Sequence, residues 1–350
     1  MQHGWNATAY QIVNPGISLW FAEAGDAVVG YVGYSRIRVV AGAPVCPSER
    51  VADVAAEFER DAKRAGDGVC YFGAEDRLER AVRDSPRHSL ALLGAQPEWE
   101  LSEWTKTVES HSSLRAQFKR ALNKGVVIQE LPPAQATRSL ELRDVLERWL
   151  RGRALPPLHF LVEPATLERL DDRRIFVATR YGREADPGGE VVAFAVLSPI
   201  PARRGWLVEQ FPRSPSAPNG TIELLMREAV RAVAADEARF LTLGLAPLAK
   251  RDTINFTEEP AWLRATLNLL RAHGHRFYNF EGLEKFKSKF QPQIWQPVYA
   301  IQNSPTFSPR ALYAIAGAFA SRPPLKLVAS AVFRAAMQEK RFVATGQPRA

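Results

Sequence analysis

"GWLVEQFPRSPSAPNGTIELLMREAV", residues 205–230, changes character twice. Residues 205–211, with Trp206, Leu207, Val208 and Phe211, read as a strand. "PRSPSAPNG" is punctuated by proline, serine and glycine and reads as a loop. From 220 to 236 the spacing of Ile222, Leu225, Met226, Ala229, Val230 and Val233 predicts a helix with one apolar face. Working outward, "RIFVATRYG" (174–182) and "EVVAFAVLSPI" (190–200) read as strands flanking a "DPGG" hairpin turn, and "RFLTLGL" (239–245) as a further strand. The predicted order is three antiparallel strands, a loop into a helix, then a strand.

The N-terminal part repeats that order. "ISLWFAE" (17–23), "AVVGYVG" (27–33) and "RIRVVAG" (36–42) predict three strands. A helix over 48–65 follows, with Ser48 as N-cap and Val51, Val54, Ala55, Phe58 and Ala62 on one face; Gly66 ends it and "VCYFG" (69–73) is the next strand. A short helix and two strands near 89–93 and 98–104 complete the unit. Residues 112–124 predict another amphipathic helix ending at Gly125, with an apolar stripe of Leu114, Phe118 and Leu122. Arg115, Lys119, Arg120 and Lys124 crowd its other face, as a solvated basic surface or as contacts for nucleic-acid phosphates.

Composition bounds the class. The 350 residues are 46% hydrophobic and 24% charged, which suits globular domains with real cores. A net charge of +8 suits a polyanionic partner, RNA or an acidic membrane surface, or serves solubility alone. Cys46 and Cys70 lack CxxC spacing and read as reduced, half-buried and cytosolic. No signal peptide is read at the N-terminus, and the longest apolar runs fall short of the ~20 residues that span a bilayer. HExxH, Cys/His zinc spacing, GxSxG, GxGxxG and P-loop motifs are missing from the sequence, so neither metal nor nucleotide cofactor is expected. His273 and His275 read as helix-end residues.

Strand, loop and helix in this order resemble a GNAT-type acyltransferase fold, seen twice: an α/β tandem GNAT-like architecture, two mixed sheets flanked by helices. The expected division is 1–108, 109–302 and a helical basic tail at 303–350. Within it, "APNGTIELLMREAV", "LTLGLAPLA" and "HRFYNFEGLEKFKSKFQPQIWQPVYAI" resemble, in order and spacing, the soluble C-terminal domain of the lysylphosphatidylglycerol synthases, also called aminoacyl-phosphatidylglycerol synthases or multiple peptide resistance factors. In that family a membrane-embedded part normally precedes the domain, and this chain reads as a standalone soluble member. The resemblance implies transfer of an amino acid from aminoacyl-tRNA to a hydroxyl acceptor such as phosphatidylglycerol, with aminoacyl-tRNA as co-substrate and no other cofactor.

Such a donor is already activated. Ester exchange is close to thermoneutral, so positioning dominates. The chemistry asks for a carboxylate for the donor's ammonium, cations for phosphates and aromatic surface for adenine. Glu209 is the candidate carboxylate, or else a strand-end carboxylate paired with Arg213; the family generally shows an aspartate there in an Asp-Leu-Met-Arg run. This chain reads "EQFPR", with Pro212 in the arginine's place and Arg213 one residue later. The loop "SPSAPNGTIELL" suits a coenzyme A pyrophosphate poorly: it has one glycine, two prolines without N–H donors, and Glu223 in the helix's first turn.

A helix over 281–290 would anchor on Phe286 and Phe290 and align Lys285 with Lys289 beside Glu281 and Tyr278, while Lys287 points elsewhere. The expected catalytic set is therefore Glu209, Lys287 and Lys289. Substrate contacts are assigned to Arg213, Asn219, Glu223, Tyr278, Asn279, Glu281, Lys285 and Tyr299. Arg115, Lys119, Arg120 and Lys124 are the candidate RNA contacts. The tail reads as two short helices. The second, with Leu325, Val328, Val332 and Phe333 beside Lys326, Arg334, Lys340 and Arg341, either lies on anionic lipid or packs on its own domain. An acyl-CoA-dependent N-acyltransferase, or a non-catalytic RNA- or membrane-binding protein of the same fold, is the alternative reading. A cytoplasmic place, peripheral at the membrane's inner face, is expected.

Overall fold

A computed structural model describes residues 1–153, 158–182, 189–248, 260–266 and 280–320. Among them, twelve strands join in one sheet ordered β1-β2-β3-β4-β12-β5-β10-β9-β8-β7-β6, with β11 paired to β5. The first half contributes β1 (Ser18–Phe21), β2 (Val28–Tyr34), β3 (Ile37–Ala41), β4 (Gly68–Ala74) and β5 (Ser89–Glu100). The second contributes β6 (Val126–Leu131), β7 (Arg174–Arg180), β8 (Glu190–Ile200), β9 (Gly205–Gln210), β10 (Phe240–Thr242) and β11 (Ala246–Pro247). Strand β12 (Ile294–Gln302), late in sequence, lies between β4 and β5 and pairs antiparallel with both. Pairing is parallel at β3–β4 and β9–β10 and antiparallel elsewhere.

Alternation along the strands sends side chains to two cores per half, as a sheet covered on both faces requires. In β3, Val40 joins the layer under α1 (Val51–Arg64), while Val39 joins the layer under α8 (Pro309–Phe319). In β7, Phe176 and Ala178 face α3 (Ser112–Asn123) and α6 (Thr221–Ala235). Ile175 and Val177 face α5 (Leu140–Arg151). All six periodic residues of α6 are buried. Truncating one of them, such as fully buried Leu225, to alanine would cost about 2–5 kcal/mol.

The two mixed sheets expected are one continuous sheet, because β5 of the first half pairs with β10 of the second, and several local expectations also change. The strands expected near 89–93 and 98–104 form the single strand β5. Pro97 is tolerated there because its carbonyl accepts from Thr242 Oγ1 at 2.8 Å, which points its absent N–H to the side where the ladder is interrupted between β10 and β11. Beyond Glu100 the chain turns helical at Leu101–Glu103. Helix α1 begins at Val51 after a three-ten turn at Ser48–Arg50, so Ser48 does not cap it. On α3 the third buried position is Ala121, and Leu122 is 49% exposed. Both cysteines are fully buried thiols, and burial raises Cys46 to about 11 and Cys70 to about 12. Helix α8 starts the segment assigned to the tail. Its Ser308 side chain caps the Ala311 N–H at 3.1 Å with Pro309 at the first turn, and Ala311, Ala314 and Ile315 pack under β3 and β12. The second tail helix, 323–341, lies outside the described residues.

Candidate functional site

Strands β9 and β10 run parallel only as far as Leu207 opposite Thr242. β9 continues to Gln210, while the other chain leaves the sheet at residues 243–245. The strand expected over 239–245 is therefore short. The carbonyls freed at this split need donors, since backbone groups away from water must be paired. Lys287, on α7 (Phe280–Ser288), supplies them: its Nζ donates to Leu243 O at 2.7 Å, Gly244 O at 2.7 Å and Leu245 O at 2.8 Å. The side chain is buried, and burial pushes its ammonium down to about 7. Three acceptors call for the three N–H donors that only the charged form has, and so oppose that push.

Helix α7 is anchored as its aromatic spacing implies. Phe290 is fully buried and meets Phe286 edge to face at 5.5 Å, and Trp99 Nε1 donates to Phe290 O at 2.8 Å. That anchorage carries Lys289 to the head of α6, where its Nζ contacts Glu223 Oε1. The loop before α6 is also fixed. Phe194 N donates to Pro212 O at 3.0 Å and Ser214 N to Val192 O at 2.8 Å, so 212–214 continues the ladder on β8 with Arg213 opposite Ala193. Gly220, at φ +94°, lies so close to α3 that a Cβ would sit 2.1 Å from Gln117 O. Only glycine fits there.

These supports enclose a cleft of about 210 Å3 at the head of α6. Arg120 and Gln117 of α3, Arg213 and Asn219 of the loop, Glu223 of α6 and Lys289 all line it. It thus gathers one residue assigned to catalysis, three assigned to substrate and one assigned to RNA. Arg115 and Lys119 on α3, and Lys124 just after its end, are exposed outside it.

The other assigned residues lie elsewhere. Glu209 is only 10% exposed at its side chain. Its Oε1 is met by Arg173 Nε at 3.1 Å and by the Ser198 hydroxyl, and it does not line the cleft; its ionic partner is Arg173, not Arg213. Lys287 is a buried carbonyl cap. Glu281 and Lys285 form an exposed pair at 2.6 Å one turn apart, outside the cleft. Tyr299 is buried in the first half's core with Tyr71 and Leu78, where burial raises its phenol to about 12. Tyr278 and Asn279 lie outside the described residues. Sequence reasoning passed over Gln117, one turn before Arg120 on the helix face that meets α6, and Arg173, whose only signal is its place just before a predicted strand.

Three antiparallel strands leading to a helix head beside a split between parallel strands, built into a larger mixed sheet, define an α/β fold of one large mixed sheet flanked by helices. The family model described as "Phosphatidylglycerol lysyltransferase, C-terminal" matches residues 1–302, and the chain belongs to that family. The phosphatidylglycerol lysyltransferase of Bacillus subtilis is 24% identical over 282 residues, 80% of this chain and 31% of its own length. That of Staphylococcus haemolyticus is 21% identical over 300 residues, 85% of this chain and 34% of its own. The chain thus spans about a third of the curated relatives it matches. A domain of Agrobacterium fabrum, assigned as the C-terminal domain of a lysylphosphatidylglycerol synthetase, superposes with a TM-score of 0.72 at 22% identity, covering 87% of this chain and 89% of that one. L-PGS of Bacillus licheniformis superposes with a TM-score of 0.71 at 20% identity, covering 95% and 93%. No helix among the described residues is long and apolar enough to cross a membrane.

Proposed function

We propose that this protein moves an amino acid from aminoacyl-tRNA to the hydroxyl of a phosphatidylglycerol-like lipid. The observation that carries this reading is the convergence of Arg120, Arg213 and Lys289, from three separate chain segments, on one cleft at the head of α6. The basic face of α3 extends that positive surface, as successive RNA phosphates would require. In the reaction the acceptor oxygen bonds to the aminoacyl carbonyl carbon, the bond from that carbon to the ribose oxygen breaks, and the acceptor's proton ends on the ribose hydroxyl. The close approach of Gln117 O to Gly220 crowds the helix head and counts against a coenzyme A pyrophosphate. On this reading the protein works at the inner face of the membrane, with the basic segment 323–341 attracted to anionic headgroups.

The test is incubation of the protein with labelled aminoacyl-tRNAs and phosphatidylglycerol vesicles, followed by extraction of lipid. Label in a lipid ester that depends on intact aminoacyl-tRNA supports the reading. Label confined to tRNA under all conditions, or transfer from acyl-CoA instead, refutes it.

A further inference from the structure

Strand β1 is an edge of the sheet, and its outer side offers a short, bounded set of backbone groups. Val28, opposite Phe21, exchanges hydrogen bonds with Val45 on its far side, at 3.1 and 2.9 Å, and Ala22 N donates to Ala27 O at 3.1 Å. Antiparallel alternation then turns Ser18, Trp20 and Ala22 towards β2, and Leu19, Phe21 and Glu23 outwards. Glu23 N donates to Glu57 Oε1 at 3.0 Å and Ile17 N to Asn14 O at 3.4 Å. Between these two ends, the N–H and C=O of Leu19 and Phe21 face outwards with no strand beside them among the described residues. The side chains mark the same two residues. Leu19 is 45% and Phe21 64% exposed, on the face where Ile12 closes over Gly30, the cross-strand neighbour of Leu19. Beside Phe21 lies a groove of about 370 Å3 lined in part by Ala27, Val28 and Val45. On the other face Trp20 is held edge to face on Phe58 at 5.4 Å. Sheet edges are ordinarily blunted by charge, proline or a bulge. The opposite edge, β6, carries Glu130 clamped by Arg174, whereas β1 has no charge, no proline and no register shift.

We propose that two copies of this chain pair antiparallel along β1 about a two-fold axis at Trp20, joining their sheets into one. In this register Leu19 of each copy lies opposite Phe21 of the other, so outward groups meet outward groups and form four N–H···O bonds. Sliding the register by two residues sets Leu19 or Phe21 against itself and the other against Ile17 or Glu23, whose N–H groups are taken. The side chains agree with the backbone. Leu19 and Phe21 of both copies form one apolar strip across the axis, and the second copy's Leu19 closes the open side of the groove beside Phe21. Charge agrees as well. One end of the edge carries Glu23 and Glu57, while at the other Arg169 is held on Val13 O, and the two-fold brings each acidic end to the other copy's basic one. A lipid surface would leave the four backbone groups unpaired and would meet the two glutamates. An edge this short buries less than the roughly 1,200 Å2 of a standard interface, so the pairing is weak and reversible, with a Kd on the order of 100 μM. In the sheet order β1 stands far from β9, so the pairing leaves the cleft at the head of α6 open.

The test combines sedimentation equilibrium of the full chain, from about 1 μM to about 1 mM, with disulfide cross-linking. The wild type should pass from monomer to dimer across that range, and Phe21→Lys, which puts a charge into the apolar strip, should stay monomeric throughout. Cys46 and Cys70 are buried and stay out of the cross-linking. Trp20→Cys should form a dimer under mild oxidation, because its two copies face each other at a Cα separation of about 4.5 Å. Leu19→Cys and Phe21→Cys should each cross-link about tenfold more slowly alone, yet join to each other when mixed, at about 5.5 Å. Unfolding midpoints show whether loss of the Trp20 contact with Phe58 disturbs the fold. If it does, the mixed pair decides, since both of its side chains are exposed. A monomer at every concentration, a dimer indifferent to Phe21→Lys, or equal cross-linking at positions 19, 20 and 21 would overturn the proposal. Binding to phosphatidylglycerol vesicles that Phe21→Lys abolishes, with no cross-link at position 20 or in the mixed pair, would assign the strip to lipid and overturn it too.

Discussion

Replacing Lys287 by methionine removes the donor for three successive carbonyls while keeping most of the side chain's bulk. Burial alone would take the ammonium from 10.5 to about 7, a cost of roughly 5 kcal/mol. Three charge-assisted hydrogen bonds at 2.7–2.8 Å each return about 1.5–3 kcal/mol, enough to match or exceed it. The methionine variant escapes the cost of burying charge but leaves Leu243, Gly244 and Leu245 carbonyls without their donor, at about 1–3 kcal/mol each and less where water enters. A net loss of about 2–4 kcal/mol follows, measurable by urea unfolding at pH 7. The pH dependence provides a second check. If burial won, the folded protein would shed this proton near pH 7 while the unfolded chain kept it to about 10.5. The wild type would then gain on the variant as pH rose through that window. If the carbonyls hold the ammonium charged, the difference stays level from pH 6 to 8.5, and that is the expected result. A variant as stable as the wild type, or a difference that climbs from pH 7, would refute the reasoning.

Glu209→Gln breaks the nearly buried pair with Arg173, so it should destabilise the fold by about 3–5 kcal/mol in thermal or urea unfolding, rather than act on turnover alone. Neutralising Lys119 and Arg120 should flatten the dependence of tRNA affinity on salt by about 0.7–0.9 per lost phosphate contact, whereas Lys285→Gln, outside the cleft, should leave the slope unchanged; filter binding across a salt series separates the two. Glu75 is buried, and burial raises its carboxyl to about 8, although Arg203 and the Ala7 N–H pull the other way. The folded state therefore holds a proton that the unfolded chain has lost. Stability from this group is present below about pH 4.5 and is lost as pH rises towards 8, so Glu75→Gln should gain on the wild type across that interval in unfolding midpoints.

Much of the fold was legible because each half is built from elements whose periodicity is local. The six-residue apolar face of α6 and the alternation in β7 and β8 need no knowledge of distant residues. The placement of β12 does need it: a period of two tells which residues share a face but not which strands are neighbours. The site divides along the same line. Glu223, Asn219 and Arg213 are close in sequence and line one cleft, whereas Arg173 reaches Glu209 from a stretch without regular pattern. Lys287 and Lys289 differ because two residues on a helix turn the side chain by about 200°, sending one inward and leaving the other at the cleft. Spacing showed that they part but not which was buried, because that depends on the β9–β10 split.

Strand β12 also bears on biosynthesis. Its partners β4 and β5 are complete by residue 100, but the strand that lies between them ends at residue 302. At about 5–20 residues per second, a nascent chain would wait roughly 10–40 s with both inner edges unpaired. Open strand edges are templates for pairing with other chains. The N-terminal half therefore exposes the facing edges of β4 and β5 to other chains throughout that interval. A ribosome stalled anywhere between codons 100 and 294 would release a fragment that aggregates rather than a free-standing first domain.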